Sequence, residues 1–322
     1  MPEKVEISGV ELILSEPARV DMKWVGNDDL INQLKAAWMI VDKEDLPLNP
    51  RILGKPGVGK TTLGYAAGRR LKKDVYMFQC TMDTRPEDLL ISPVIASDTK
   101  IAYVASSLVS AMIKGGVCLL DEGNRMSEKS WASLAPLMDK RRYVESIIAG
   151  IRIYAHPDFR LCVTMNADSS TYEIPEYIQS RLQPKIFIEF PNKIDELKIL
   201  KYNLPFVSEE MLEYCVNFLQ NAHIHDEPYT VRDGINILRY YTKSRMLKNE
   251  DPDKLDKNTF ESAVVQVLEE EALRFLPGNY EEFLKQQKDS ISFKIFKDFE
   301  EVNDYYDKFI KKPDKNSSDS DP

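Results

Sequence analysis

The stretch GKPGVGKT, from Gly54 to Thr61, decides the fold of this chain. It follows the short apolar run RIL and leads directly into KTTLGYAAGRRLKK, which has the pattern of a helix. Its spacing fits G-x-x-x-x-G-K-[ST], in which glycines let successive backbone N–H groups face one point at the positive end of the helix. We refer to residues 54–61 as the phosphate loop, because this geometry favours a bound phosphate over an empty glycine-rich turn.

The phosphate loop predicts a nucleoside triphosphate with Mg²⁺ as the bound cofactor. Lys60 is expected to reach the β and γ phosphates, and the hydroxyl of Thr61 to ligate magnesium, which takes few protein ligands. The predicted nucleotide-binding residues are Gly54, Lys55, Pro56, Gly57, Val58, Gly59, Lys60, Thr61 and Thr62.

An acidic pair follows a second apolar run. Gly115-Gly116 precedes VCLLDEGNR, which ends in Asp121 and Glu122. Ligands gather at the carboxyl ends of strands in open α/β sheets, so Asp121 is predicted to share the magnesium with Thr61. Glu122 is predicted to orient and polarise the attacking water. A pair that merely caps a helix is the alternative.

Short apolar runs alternate with helical patterns between residues 50 and 190, which is typical of an α/β fold with a doubly wound parallel sheet. After Pro191 only helical patterns remain, so we expect an α/β nucleotide-binding domain over residues 1–191 and a helical domain over 192–297. Residues 298–322 form an acidic C-terminal segment whose last residues lack apolar side chains and are expected to be disordered. The predicted strands are Arg51 to Leu53, Val75 to Gln79, Val117 to Leu120, Arg160 to Met165 and Lys185 to Phe190.

Two hairpin insertions are predicted within the α/β part. They cover residues 94–104, turning at Asp98-Thr99, and residues 143–154, turning at Ala149-Gly150. Each is a candidate working surface, and the alternative is that they merely extend the sheet.

Composition restricts the class of protein and its surroundings. A net charge of -9 gives no overall electrostatic footprint for nucleic acid, and no apolar run is long enough to cross a bilayer. The start MPEKVEISGVELIL lacks the features of a signal peptide, so a cytoplasmic location is expected. The four cysteines lack metal-site spacing and are expected to be reduced: Cys80, Cys118, Cys162 and Cys215.

With both motifs in place, residues 20 to 280 resemble an AAA+ ATPase of the MoxR and dynein-related branch, similar to the CbbQ and NorQ activators. The resemblance rests on EDLL, LLDEGNRMSEKSW, AHPDFRLCVTMNA and IPEYIQSR, which begin at Glu87, Leu119, Ala155 and Ile174. It implies an AAA+ core with a small helical lid, binding Mg-ATP between the subunits of a homo-oligomer that is expected to be a hexamer.

The resemblance also assigns residues to the hydrolysis step. Asn166 is similar to the sensor 1 residue, which helps to hold the water near the γ-phosphate. Arg181 is similar to the arginine finger that enters the neighbouring subunit's site, with Arg141 and Arg142 as rivals. The family usually has phenylalanine after the finger, whereas this chain has Leu182.

Two further segments match the family around the nucleotide. Thr230 to Asp233 reads as a capping box that opens a helix, and Arg232 within it resembles sensor 2. Val25-Gly26 looks like the segment beside the adenine. Pro136 departs from the pattern and is expected to kink the helix after the acidic pair.

What such a motor acts on is implied by the resemblance alone. MoxR-like proteins commonly remodel or activate a metalloenzyme or complex with a von Willebrand A-domain partner, and the two insertions are where we expect the client to be gripped. A GTP-dependent DNA-restriction motor of the McrB type is an alternative, because Thr164 to Asp168 reads TMNAD. A nucleotide-binding switch with little turnover is another.

Overall fold

The computed structural model describes residues 3–95, 101–166 and 174–279. The strands are β1 (Lys4–Ile7), β2 (Val10–Ile13), β3 (Arg51–Gly54), β4 (Val75–Gln79), β5 (Ile91–Ile95), β6 (Ile101–Ala105), β7 (Val117–Asp121), β8 (Tyr143–Ser146), β9 (Ile151–Tyr154), β10 (Arg160–Asn166) and β11 (Lys185–Ile188). The helices are α1 (Asp28–Trp38), α2 (Lys60–Arg70), α3 (Pro86–Leu89), α4 (Ser107–Lys114), α5 (Glu128–Leu134), α6 (Glu176–Gln179), α7 (Lys193–Asn203), α8 (Glu209–Ile224), α9 (Val231–Leu247) and α10 (Lys257–Leu268). Two 3₁₀ turns cover Gly123–Arg125 and Glu270–Phe275.

The main sheet has the strand order β11-β3-β10-β7-β4, and each neighbouring pair is parallel. This confirms the predicted α/β fold, and the predicted strands agree with the structure to within one residue except at β11, which ends at Ile188 rather than Phe190. The carboxyl ends of β3, β7 and β10 lie side by side, which is where the phosphate loop and the acidic pair begin.

The central strand β7 shows why its sequence does not alternate between apolar and polar residues. Val117 and Leu119 belong to the core that includes α1 and α2, whereas Cys118 and Leu120 belong to the core that includes α4. All four side chains are fully buried. A strand covered on both faces has no solvent side, and so the run is continuously apolar.

A second sheet, with the order β1-β2-β6-β5, was not predicted from the sequence. The strands β1 and β2 form an N-terminal hairpin, and β2 pairs in parallel with β6 of the first predicted insertion. Ser8 and Gly9, at its turn, both have positive φ angles, of 49° and 82°. This two-residue turn was the overlooked signal of a hairpin.

The two predicted insertions differ in how much of them is described. In the first, β5 and β6 pair as a hairpin, but its predicted turn at Asp98-Thr99 lies outside the described residues. In the second, β8 and β9 pair from Tyr143 with Tyr154 to Ser146 with Ile151, and Gly150 in the turn has a φ angle of 67°. It forms a sheet of its own and does not extend the main one.

Helices α7 to α10 and the second 3₁₀ turn pack around a separate apolar core, and we call residues 193–276 the helical unit. Its fully buried members include Leu200, Phe218, Tyr241 and Phe260. The predicted segment 298–322 lies outside the described residues. In the part of the chain that the structure describes, no helix has the length and apolar character needed to cross a membrane.

Two local predictions can also be compared with the structure. The cysteines are all free and buried. Pro136 does not kink a helix as expected, because α5 already ends at Leu134. Ala135 keeps a helical backbone, but Pro136 has no N–H with which to continue the helical hydrogen bonds.

Candidate active site

The phosphate loop joins the end of β3 at Gly54 to the start of α2 at Lys60. The ammonium group of Lys60 is buried beneath the loop and donates to the carbonyl oxygens of Gly54 at 2.9 Å and Lys55 at 2.8 Å. Gly57 and Gly59 have φ angles of 83° and 96°, in the left-handed region that glycine adopts most easily. The loop therefore curls around the lysine at the positive end of α2, as a phosphate site requires.

Close packing also restricts the loop to glycine at two positions. A Cβ atom on Gly54 would lie 2.7 Å from the carbonyl oxygen of Ile188 in β11. A Cβ atom on Gly57 would lie 2.5 Å from the hydroxyl of Thr230, the residue that caps α9. The phosphate loop thus contacts both the main sheet and the helical unit.

Asp121, at the end of β7, accepts hydrogen bonds from two threonines. The hydroxyl of Thr61 lies 2.8 Å and 3.0 Å from its two carboxylate oxygens. The hydroxyl of Thr164, in the neighbouring strand β10, also donates to the carboxylate. Thr164 was not predicted as a site residue, although its place two residues before Asn166 puts it beside the end of β7.

The predicted magnesium ligands fit that ion. Thr61 and Asp121 supply one hydroxyl and one carboxylate side by side, which are the hard oxygen donors that Mg²⁺ prefers. Among the described residues there is no group of three or more histidine, cysteine, aspartate or glutamate side chains that could hold a metal. An ion held by few protein ligands, with water and phosphate completing its shell, suits this donor set better than a metal that needs an all-protein cage.

Glu122 follows in a left-handed backbone conformation, with φ of 55°. Its N–H donates to the hydroxyl of Thr164 at 3.0 Å, so one threonine contacts both acidic residues. Its carboxylate is partly exposed and lies 2.6 Å from Nε of Arg125. A non-glycine residue in this conformation is uncommon and is held by its surroundings.

Asn166 ends β10 directly beside the phosphate loop. It pairs in register with Gly54, and the residue is 8% exposed. Its carbonyl oxygen accepts a hydrogen bond from the side-chain amide of Asn124, at 3.0 Å. The structure thus brings Asn166, Asp121 and the loop to one edge of the sheet.

Two cavities that share lining residues lie between the phosphate loop and the helical unit. The first, of about 250 Å³, is lined by Val25, Gly57, Gly59, Thr62 and Arg232 among others. The second, of about 300 Å³, is lined by Val25, Gly26 and Val58 together with the residues that follow β11. Both include Trp24 and Ile199, which sequence reasoning missed. The predicted adenine segment and the predicted sensor 2 arginine therefore face the same space as the loop.

The capping box that was predicted around Arg232 is present. Asp233 accepts hydrogen bonds from the N–H of Thr230 at 2.7 Å and from its hydroxyl at 2.9 Å. This fixes the start of α9 against the loop.

Comparison with known proteins agrees with this geometry. Residues 51–182 match the family model of the AAA domain (dynein-related subfamily). The fold is therefore that of an α/β P-loop AAA+ core. Solved structures support the same fold: the Thermotoga maritima RuvB Holliday junction branch migration motor aligns with a TM-score of 0.51 and 14% identity, over 74% of this chain and 69% of RuvB.

The relatives found by sequence either match only a short part of this chain or have low sequence identity to it. The denitrification regulatory protein NirQ of Pseudomonas aeruginosa is 32% identical over 113 residues, which are 35% of this chain and 43% of NirQ. The match thus spans less than half the length of NirQ. An uncharacterized protein of Staphylococcus aureus strain USA300 is 21% identical over 240 residues, which are 70% of this chain and 91% of that protein.

Arg181 lies in a different part of the AAA+ core. Its guanidinium donates to the carbonyl oxygen of Tyr177 at 2.5 Å and lies 3.6 Å from the carboxylate of Asp139. Arg141 binds the same carboxylate through Nε at 3.0 Å and through a terminal nitrogen at 2.7 Å. We call Asp139, Arg141 and Arg181 the Asp139 cluster. The hydrogen bond from Arg141 lowers the pKa of Asp139 to about 2, so this carboxylate is ionised at neutral pH.

Arg142, the other rival for the finger, is positioned differently. Its guanidinium is partly buried and donates to the carbonyl oxygen of Phe159 at 3.2 Å. Burial lowers the pKa of Arg142, with a smaller contribution from Arg160. A partly buried guanidinium that is hydrogen-bonded within its own chain is a poor candidate for contact with a neighbouring subunit.

Lys55 is a loop residue whose side chain contacts residues beyond the loop. Its ammonium donates to the carboxylate of Asp226 at 2.8 Å and lies 4.6 Å from the centre of the Phe190 ring. The Phe190 ring stacks on His223, with 3.9 Å between centroids. These residues line a cleft of about 670 Å³ between the loop and α8. The side chain of Lys55 therefore links the loop to the helical unit, and its backbone carbonyl contacts Lys60.

Proposed function

We propose that this chain is an ATPase that binds Mg-ATP on the phosphate loop and hydrolyses it to drive movement of the helical unit. The convergence of Thr61, Asp121 and Asn166 on one edge of the sheet carries the proposal. The adjoining cavities lined by Val25 and Arg232 support it, because they extend from the loop towards the helical unit. A pocket that spans two units changes shape when its ligand changes, which is how hydrolysis could move one against the other.

Each residue has a physical task in this proposal. The backbone N–H groups of the loop and the ammonium of Lys60 bind the phosphates, while Thr61 and Asp121 hold the ion. Mg²⁺, when bound, would supply positive charge that stabilises the negative charge of the phosphates. Glu122 polarises the attacking water and Asn166 helps to hold it. Arg232 contacts the γ-phosphate from the helical unit. The helical unit therefore loses this contact when the phosphate is released, and it can move.

The proposal includes a homo-oligomer with the active site at the subunit boundary, for which a hexamer is the expected form. Arg181 supports this, because within the described residues the hydrogen bond and ion pair of its side chain are to Tyr177 and Asp139 and not to the phosphate loop. An arginine on another face can complete the site only from a neighbouring copy. An arginine supplied in trans stabilises charge in the transition state.

The load is proposed to be a partner protein or complex, such as a metalloenzyme acting with a von Willebrand A-domain protein. The similarity to NirQ, whose name describes a denitrification regulator, supports this class of client. The hairpin β8–β9 is the proposed grip, since Ile147 and Ile148 at its tip are 94% and 41% exposed. Deleting residues 147–150 should abolish client activation and leave ATP turnover intact; activation that survives the deletion would remove the hairpin from the proposal.

Phosphate release measured beside molecular size tests the proposed ATPase. Wild-type protein should assemble with ATP and release phosphate steadily, whereas Glu122→Gln should bind ATP, assemble, and release about 10²-fold less, since general-base assistance is typically worth 10²–10⁴-fold. A fully active monomer would overturn the oligomeric motor. Tight binding without turnover would favour the nucleotide switch, and GTP turnover stimulated by DNA would favour the McrB alternative, part of whose TMNAD signature lies outside the described residues.

A further inference from the structure

The segment after Asp121 is a tightly seated 3₁₀ turn, Gly123–Arg125. A Cβ atom on Gly123 would collide with Cγ1 of Val163 and would lie 3.2 Å from the ring of Trp131. The turn therefore packs directly on β10 and α5, and its backbone has little freedom to shift.

The turn places Arg125 over Glu122. Glu122 precedes the turn, and the N–H of Arg125 donates to the carbonyl oxygen of Glu122 at 2.9 Å, which holds the two residues close together. As a result, Nε of Arg125 lies 2.6 Å from a carboxylate oxygen of Glu122. The N–H direction does not satisfy hydrogen-bond geometry, so the contact is a close charge pair.

We propose that Arg125 is a positioning residue that holds the carboxylate of Glu122 in place for the attacking water. The inference rests on the proposed function, in which Glu122 is the water-polarising group. The backbone of Glu122 is already fixed by Thr164, and the remaining freedom lies in its long side chain. Because small misplacements of a catalytic group reduce rate strongly, a restraint on that side chain contributes to turnover.

The exposure of the pair allows an effect on turnover to be distinguished from an effect on folding stability. The side chains of Arg125 and Glu122 are 41% and 32% exposed, and ion pairs so exposed contribute little to stability. Loss of Arg125 should therefore appear in kcat, without unfolding the chain or weakening ATP binding.

The test compares steady-state ATP turnover and binding of a fluorescent ATP analogue in wild type, Arg125→Ala, Arg125→Lys and a control, Arg69→Ala. Arg69 forms an exposed ion pair with Asp74 at 3.6 Å, near the end of α2 remote from the loop. Arg125→Ala should lower kcat about 10-fold with KM and analogue affinity within about 2-fold of wild type. Arg125→Lys should restore part of the loss, and the control should match wild type.

A second arm asks whether Arg125 acts through Glu122. In a Glu122→Gln background, Arg125→Ala should produce no further loss in single-turnover hydrolysis, because interacting residues are not additive. An equal loss in both backgrounds, or wild-type kcat in Arg125→Ala, would overturn the inference while leaving the ATPase proposal standing. Full turnover in Glu122→Gln alone would instead overturn the proposed function, and this inference with it.

Discussion

The Asp139 cluster and the edge of the main sheet that holds the phosphate loop, Asp121 and Asn166, which we call the phosphate edge, both contain charged side chains. The two regions differ in what those side chains contact. At the phosphate edge, Thr61, Thr164 and Asp121 come from three elements and meet through short hydrogen bonds. In the Asp139 cluster, two arginines share one carboxylate and face no phosphate loop of their own. We propose that the first region binds a nucleotide within one chain and that the second offers a cation to a neighbouring copy.

The two arginines of the cluster also differ from each other. Arg141 makes a close two-point contact with Asp139, whereas Arg181 lies 3.6 Å from that carboxylate and donates to the carbonyl oxygen of Tyr177 at 2.5 Å. The charge of Arg181 is therefore less closely paired than that of Arg141, which makes Arg181 the better candidate for the neighbouring site. We therefore propose Arg181 as the finger, with Arg141 holding Asp139 in place.

Removal of the finger is expected to have the largest effect. Arg181→Ala should lower ATP turnover by about 10³-fold or more while ATP binding and assembly persist, because an arginine finger supplies that much transition-state stabilisation. Phosphate release and sizing of the same sample measure this. Arg141→Ala is the matched variant and should lose less than about 10-fold; a reversal of the two results would assign the finger to Arg141.

A substitution in the phosphate loop tests the phosphate edge. Gly57→Ala introduces a Cβ atom 2.5 Å from the hydroxyl of Thr230, at a residue with φ of 83°. The free energy of unfolding should fall by about 1–3 kcal/mol, as for other strained backbone positions, and ATP affinity should fall with it. Urea denaturation and nucleotide titration measure both. Gly150→Ala is the control, since its φ is also positive at 67° but nothing lies near its Cβ position; an equal loss of ATP affinity there would contradict the account.

The helical unit, which contacts the phosphate loop through Thr230, contains a buried acid, Glu196. Burial raises the pKa of Glu196 to about 8, although Gln220 donates a hydrogen bond to its carboxylate at 2.7 Å. As pH rises from about 4.5 towards 8 the unfolded chain ionises and the folded chain does not, so this group's stabilisation is present below pH 4.5 and is lost across that range.

Glu196→Gln should therefore flatten the fall in stability with pH. The variant should be more stable than wild type by roughly 1–3 kcal/mol at pH 8, and the difference should shrink towards pH 5. Urea denaturation across that range measures it. A difference that is the same at every pH would show that ionisation of Glu196 is not the cause.

The smallest effect is expected at the link between the loop and the helical unit. Asp226→Ala removes the ion pair with Lys55, but Asp226 is highly exposed, so the pair is screened by solvent. The KM for ATP should change by about 2-fold, and the change should vanish in high salt. Asp251→Ala, elsewhere in the helical unit, is the control; a salt-independent change would exclude the ion pair as its origin.

Sequence patterns predicted the phosphate edge better than its surroundings. The spacing of Lys60 and Thr61 and the apolar run before Asp121 are local, so the strand and loop bounds could be read directly from them. Thr164 was missed because its contact with Asp121 depends on strand order, which places β10 beside β7. The hairpin β1–β2 was missed because two four-residue strands of mixed polarity give a weak pattern.

The Asp139 cluster and the link at Lys55 were beyond local patterns for another reason. Each includes a contact between residues that are far apart in sequence, Arg181 with Asp139 and Lys55 with Asp226, and depends on how separate elements pack. Motif matching placed Lys55 in the nucleotide-binding loop, but it does not reveal that the side chain of Lys55 contacts Asp226 in the helical unit. Resemblance named Arg181 as a finger, but only packing distinguishes it from Arg141 and Arg142.

Mixing two inactive variants tests the shared site most directly. Glu122→Gln retains its finger and Arg181→Ala retains its water-polarising group, so an interface between them can contain one complete site. In a ring of randomly mixed subunits with head-to-tail contacts, about a quarter of the interfaces are complete, and an equal mixture should regain about that share of wild-type phosphate release. A mixture that assembles yet releases no more phosphate than the two variants do separately would contradict a site built from neighbouring copies.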